Sequence, residues 1–216
     1  MPLPIAPVTV NVDLNTLIDQ AVKLAKGLRD HLGSLVSMPA LALQRLDEVL
    51  VEIDKTFTAV DKVVEEHLKV ALDPSRIETE PDRMIDLAGP ALPMRIEQDR
   101  GHCSTIGEIY WKYLRGILDP LLAANMQAKA AVDQIFSNLS SADSALFDRF
   151  ADVGAMLQER AKHALSLQLR NDVAGAKALL KRDAANLIDM RQRLQDAHLT
   201  LVGIRNDFIK GMAPPP

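Results

Sequence analysis

An all-α fold, an elongated bundle of about five long amphipathic helices with coiled-coil-like packing, is what this sequence predicts, on two observations. Apolar residues recur at alternating steps of four and three over long stretches, most regularly at Leu46, Leu50, Ile53, Phe57, Val60, Val64, His67 and Ala71. Hydrophobic residues make up 48% of the chain but aromatic ones only 4%, a bias that suits aliphatic helix seams better than sheets. A chain of 216 residues, 25% of them charged, is long enough to bury a substantial core and too apolar for general disorder.

Residues 1–12 read as an extended arm, because Pro2, Pro4 and Pro7 remove donors and bias their predecessors away from helix, while Val8, Val10 and Val12 alternate. The helical bundle is expected over 13–210. Its first helix runs from Asp13 or Leu14 to Leu32 through Leu14, Leu17, Ile18, Ala21, Val22, Ala25, Leu28 and Leu32, and Gly33 stops it. Pro39 suits the first turn of the second helix, with Ser37 as its cap. The seam from Leu46 to Ala71 predicts a helix near 30 residues with a shallow crossing, ended by Asp73 and Pro74. His67 is the one polar member of that seam.

Residues 73–103 read as an irregular connector, since Pro74, Pro81, Gly89, Pro90, Pro93 and Gly101 lie too close for a long helix. A short turn around Met84 to Leu87 interrupts it, and it either wraps the bundle, forms a mobile lid or joins two helical hairpins. Thr105 and Glu108 form a capping box for a third long helix. Its seam can be drawn through Tyr110, Leu114, Ile117, Leu121, Ala124, Ala128, Ala131, Ile135 and Leu139. Pro120 inside it means either a bend or a new helix capped by Asp119, and the unbroken apolar phase favours the bend. Ser140, Ser141 and Asp143 mark the next start, followed by Leu146, Phe147, Phe150, Val153, Leu157, Ala161, Ala164 and Leu165. At 170–175 either a turn capped by Asp172 intervenes or one very long rod continues. Helix resumes through Ala176, Leu180, Ala184, Leu187, Leu194, Leu201, Ile204 and Phe208, and 211–216 read as a flexible tail.

Charge is unevenly spread. Residues 1–103 carry 11 Lys and Arg against 17 Asp and Glu, residues 104–216 carry 14 against 12, and 160–210 carry 10 against five. This predicts acidic helices packed against basic ones. The basic residues are mixed with acids and lack aromatic stacking partners, which disfavours nucleic acid. Asp183, Asp189, Asp196 and Asp207 dilute the cationic face of the last helix, and no uncharged apolar run reaches 18 residues, so direct membrane binding is disfavoured. One Cys excludes an internal disulfide, and MPLPIAPVTVNV has neither a basic leader nor a long apolar run, so a cytoplasmic, reducing location is expected.

The stretch RGHCSTIGEIYWKYLRGILDP, residues 100–120, holds the only Cys and Trp and both Tyr. Cys103 beside His102 near a helix start could be activated as a thiolate, which with Tyr110 gives an alternative reading as a small-molecule enzyme or sensor. Neighbours in sequence need not bring reactive atoms together, and Cys103 also reads as an ordinary small hydrophobe. Glu159 with His163, and Glu48 with Glu52, share helical faces, but no Glu-x-x-His step occurs, so they read as surface pairs. No phosphate loop, nucleophile elbow or HExxH pair is present, and no metal or cofactor is expected.

Tyr110 fits the core phase with Leu114, whereas Trp111 and Arg115 fall at a rim, against the connector or a partner. The functional expectation is a non-catalytic interaction or assembly scaffold presenting a rigid surface to a protein partner, self-associating as a homodimer. Its candidate surface is His102, Cys103, Tyr110, Trp111 and Arg115. His67 is a candidate pH-sensitive seam position. A membrane-interacting bundle is the remaining alternative.

Overall fold

Helix α2, Ala40–Leu72, is the seam helix, and in the computed structural model, which describes residues 12–32, 38–89 and 106–212, all eight of its seam residues are buried. Pro39 precedes it, and the Pro39 carbonyl accepts from the amides of Ala42 and Leu43 at 2.9 and 3.2 Å. Ser37 and Gly33 lie outside the described residues. Helix α1, Val12–Leu32, buries Ile18, Ala21, Ala25, Leu28 and Leu32. Among the described residues there is no strand, and the fold is the expected elongated helical bundle.

The last helix, α9, spans Ala184–Met212 and runs antiparallel to α2. Three polar contacts tie them: ion pairs of Asp47 with Arg205 at 2.7 Å and of Asp61 with Arg191 at 3.3 Å, and between them a hydrogen bond of Asp54 with His198 Nδ1 at 2.5 Å. Each step is seven residues forward on α2 and seven back on α9, so the contacts form a heptad ladder. Arg191 also reaches Glu65 at 3.1 Å. Such part-exposed pairs contribute only about 0.2–1 kcal/mol each, against about 1.5–3 kcal/mol for each large apolar side chain buried beneath them. The ladder therefore sets register, and the seam supplies stability.

Three short helical pieces and one very long helix complete the main body. Helix α5, Ile106–Ile109, passes into a π turn, Tyr110–Leu114, and then into α6, Arg115–Leu122. This continuous segment packs between α2 and α7, Met126–Leu169, while α1 packs between α7 and α9. A Cβ on Gly107 would sit 3.1 Å from the Ser140 hydroxyl, so glycine there permits the close approach of α5 to α7.

Three boundaries differ from the sequence reading. Pro120 does not begin a helix but lies inside α6, which ends after Leu122, and Asn125 caps α7 by accepting from the Ala128 amide at 3.0 Å. Ser140, Ser141 and Asp143 do not start a helix but lie inside α7, which at 44 residues is about 66 Å long. There Ser141 bonds back to the Ser137 carbonyl and Thr56 donates to Asp143 across the bundle. The buried phase after Leu114 is also shifted by one, to Leu118 and Leu122 in place of Ile117 and Leu121, because the π turn adds a residue to the helical repeat.

At the far end, the described part of the proline-rich connector is helical. Helix α3, Arg76–Thr79, is followed by α4, Pro81–Ala88, with Pro81 in the first turn. Residues 90–103 lie outside the described residues. A real turn, not a continuous rod, separates α7 from α8, Val173–Arg182: Asn171 adopts φ 63° and Asp172 accepts from the Gly175 amide at 2.9 Å. The buried residues sort into two clusters. The larger joins α1, α2, the 106–122 segment, the first part of α7 and α9. The smaller, an end lobe, is Val70, Ile77, Met84, Leu87, Ala88, Ala161, Ala164, Ala176 and Leu180.

Candidate functional site

The π turn gathers three of the candidate residues and aims them differently. Its wide turn closes with the Arg115 amide bonding to the Tyr110 carbonyl, which points Tyr110 and Leu114 inward and leaves Trp111, Lys112 and Tyr113 exposed. Tyr110 is 1% exposed, stacks on Phe136 with centroids 4.0 Å apart and planes at 13°, and meets the edge of Trp111 at 5.1 Å. Its hydroxyl donates to the Asp133 carboxylate.

Arg115 links the buried and exposed halves. Its Nε lies 3.8 Å from both Asp133 and Asp119, and its guanidinium sits 4.6 Å from the centroid of the Trp111 ring. Lys129 holds Asp119 at 3.1 Å. On the other flank, Arg45 lies 4.7 Å from the Tyr113 centroid and pairs with Glu48 at 2.6 Å. Trp111 is thus 52% exposed yet fixed by Tyr110 below and Arg115 beside it.

Burial, with the Asp133 hydrogen bond second, raises the Tyr110 pKa. A hydroxyl so held remains a donor to Asp133 and is a poor base at neutral pH. His102 and Cys103, the partners of Tyr110 in the pocket reading, lie outside the described residues. Of the residues weighed as metal ligands, Glu159 pairs with Lys162 at 2.6 Å rather than with His163, Glu48 pairs with Arg45, and Glu52 pairs with Lys55 at 2.9 Å. Among the described residues no group of three or more His, Cys, Asp or Glu could hold a metal, and no helix is long and apolar enough to cross a membrane.

His67 sits far from this cluster, 6% exposed in the α2 seam, with Nε2 buried and lacking a hydrogen-bond partner. Burial lowers its pKa to about 4, the attraction of Glu66 opposing only part of the shift. One further feature went unread in the sequence, though its signal was there. Aspartates at 47, 54 and 61 and basic residues at 191, 198 and 205 repeat every seven residues. The ladder they form borders a shallow groove of about 250 Å³ lined by Phe57, Thr58, Asp61, Leu194, Gln195 and His198. That is smaller than the roughly 300–1,000 Å³ of most ligand pockets.

No protein-family model, curated protein or solved structure matches this chain.

Proposed function

We propose that this protein is a non-catalytic interaction or assembly module that presents the Trp111–Arg115 surface to a protein partner, a second copy of the chain being the first to test. The observation that carries the reading is the half-exposed Trp111, held in place by Tyr110 and Arg115 on a π turn packed between two long helices. Trp, Tyr and Arg dominate binding hot spots because they cover a large area with little freedom left to lose. Here that freedom is already spent within the chain.

Trp111 is the sole tryptophan, so its emission reports on this surface alone. Light scattering and tryptophan emission should be followed together over a concentration series. A rise above 23.7 kDa accompanied by an emission shift, both lost in Trp111→Ala, is the expected result for self-association. For a different partner, affinity capture from the native cell should lose specific proteins with Trp111→Ala. Constant mass together with identical captured proteins would sink the reading.

A further inference from the structure

We infer that the end lobe opens as one cooperative unit along a buried polar layer while the main body stays folded. Of the four buried polar or charged residues among those described, Asp143 lies within the main body and is bonded to Thr56. Of the other three, Arg160 and Asp183 fall where the two cores part, and His67 lies on the stretch of α2 where they overlap. On α2 the two clusters interleave beyond His67, with Leu68 and Ala71 in the large one and Val70 in the small one. On α7, Arg160 stands between Leu157 and Ala161. At the junction of α8 and α9, Asp183 stands between Leu180 and Leu187.

Arg160 and Asp183 close the layer with a 2.9 Å ion pair whose side chains are only 4% and 3% exposed. Desolvation lowers the Arg160 pKa, the sign of a cation held away from water. A buried pair of this kind stabilises less than apolar packing of similar volume, yet breaking it leaves a buried charge uncompensated. It interrupts the apolar core and latches the two sides together.

The lobe itself is lightly built. Four of its nine buried members are alanines, so each helix docks on little apolar area. Leu165, Leu167 and Leu179 pack at its edge, and polar ties supplement them: Gln168 donates to the Ile77 carbonyl at 2.8 Å, Gln158 to the Gly89 carbonyl at 2.8 Å, and Lys177 pairs with Glu78 and Arg83 with Glu66. Helices α3, α4 and α8 have four, eight and 10 residues, below the roughly 12–15 needed for marginal stability alone. They hold their shape only while docked, so undocking and unwinding occur together. Asn171 in the left-handed region and a one-residue turn at Asp183, whose backbone stays in the right-handed helical region, bound α8 on its two sides. Opening would bare Val70 on α2 and the Ala161 and Ala164 face of α7, a small-residue surface absent from the closed form.

Hydrogen exchange read by mass spectrometry on the full chain tests this, with Leu180→Ala as the probe. Amides of α4 and α8 should exchange faster by a common factor, roughly 30-fold, while residues 46–64 of α2 and 194–208 of α9 stay unchanged. Faster exchange throughout the chain would show a single cooperative unit, and faster exchange confined to α8 would show local fraying; either overturns the proposal. Arg160→Met should speed exchange of the whole lobe, and adding Asp183→Leu should return it toward the parent rate. Failure of the double variant to recover would remove the latch.

Discussion

At His67 an imidazole fills a position that the surrounding seam would give to leucine, and its cost depends on pH. Its folded pKa of about 4 lies below the ordinary value near 6.5, so as pH falls the unfolded chain takes up the proton first. The residue's contribution is therefore intact above pH 6.5 and lost progressively from there down to pH 4, with about 2 kcal/mol gone by pH 5. Urea midpoints of the parent should fall more steeply between pH 7.5 and 5 than those of His67→Leu. Parallel slopes would show that His67 does not titrate in this range. Tyr110 offers a test at constant pH. Removing its hydroxyl in Tyr110→Phe should cost about 1–2 kcal/mol of unfolding free energy, since Asp133 keeps Arg115 as a second partner. A variant as stable as the parent in urea melts would show that the hydrogen bond to Asp133 contributes nothing net.

At the scale of the element, periodicity was legible and its interruptions were not. The α2 seam is buried at every expected position because nothing in Ala40–Leu72 disturbs the repeat. In the 106–122 segment the π turn inserts a residue although Tyr110–Leu114 itself holds no glycine or proline to announce it, and the inward face moves to Leu118 and Leu122. Ser141 and Asp143 misled for the opposite reason: residues that cap helices in isolation are satisfied inside α7, Ser141 by the Ser137 carbonyl and Asp143 by Thr56, 87 positions away. Long-range partners override local signals in that way. The α2–α9 ladder makes its own prediction. A double-mutant cycle with Asp47→Asn and Arg205→Gln should give a coupling of about 0.5–1 kcal/mol that shrinks in ~1 M salt. Zero coupling at low salt would mean that the apolar seam alone sets register.

Across the whole molecule, the all-α bundle followed from composition and period, whereas its division into two cores did not. His67 was visible as an oddity because it breaks a seam. Arg160 and Asp183 were not, since each reads as an ordinary charge beside an apolar stripe, and only tertiary packing brings them together from 23 positions apart. The candidate surface was legible in the same partial way. The sequence separated inward Tyr110 from outward Trp111, but the network through Asp133 and Arg115 depends on how α7 lies against the π turn.

The ladder between α2 and α9 also constrains how such a chain could change length over evolutionary time. Its three rungs each pair residue numbers that add to the same total, as 47 with 205, 54 with 198 and 61 with 191 do. An insertion of a few residues within either helix would set every rung beyond it out of step. Whole heptads added opposite one another in both helices would leave the pairing intact. Two segments separated by more than a hundred residues in the chain are thus expected to grow or shrink only together, in units of seven.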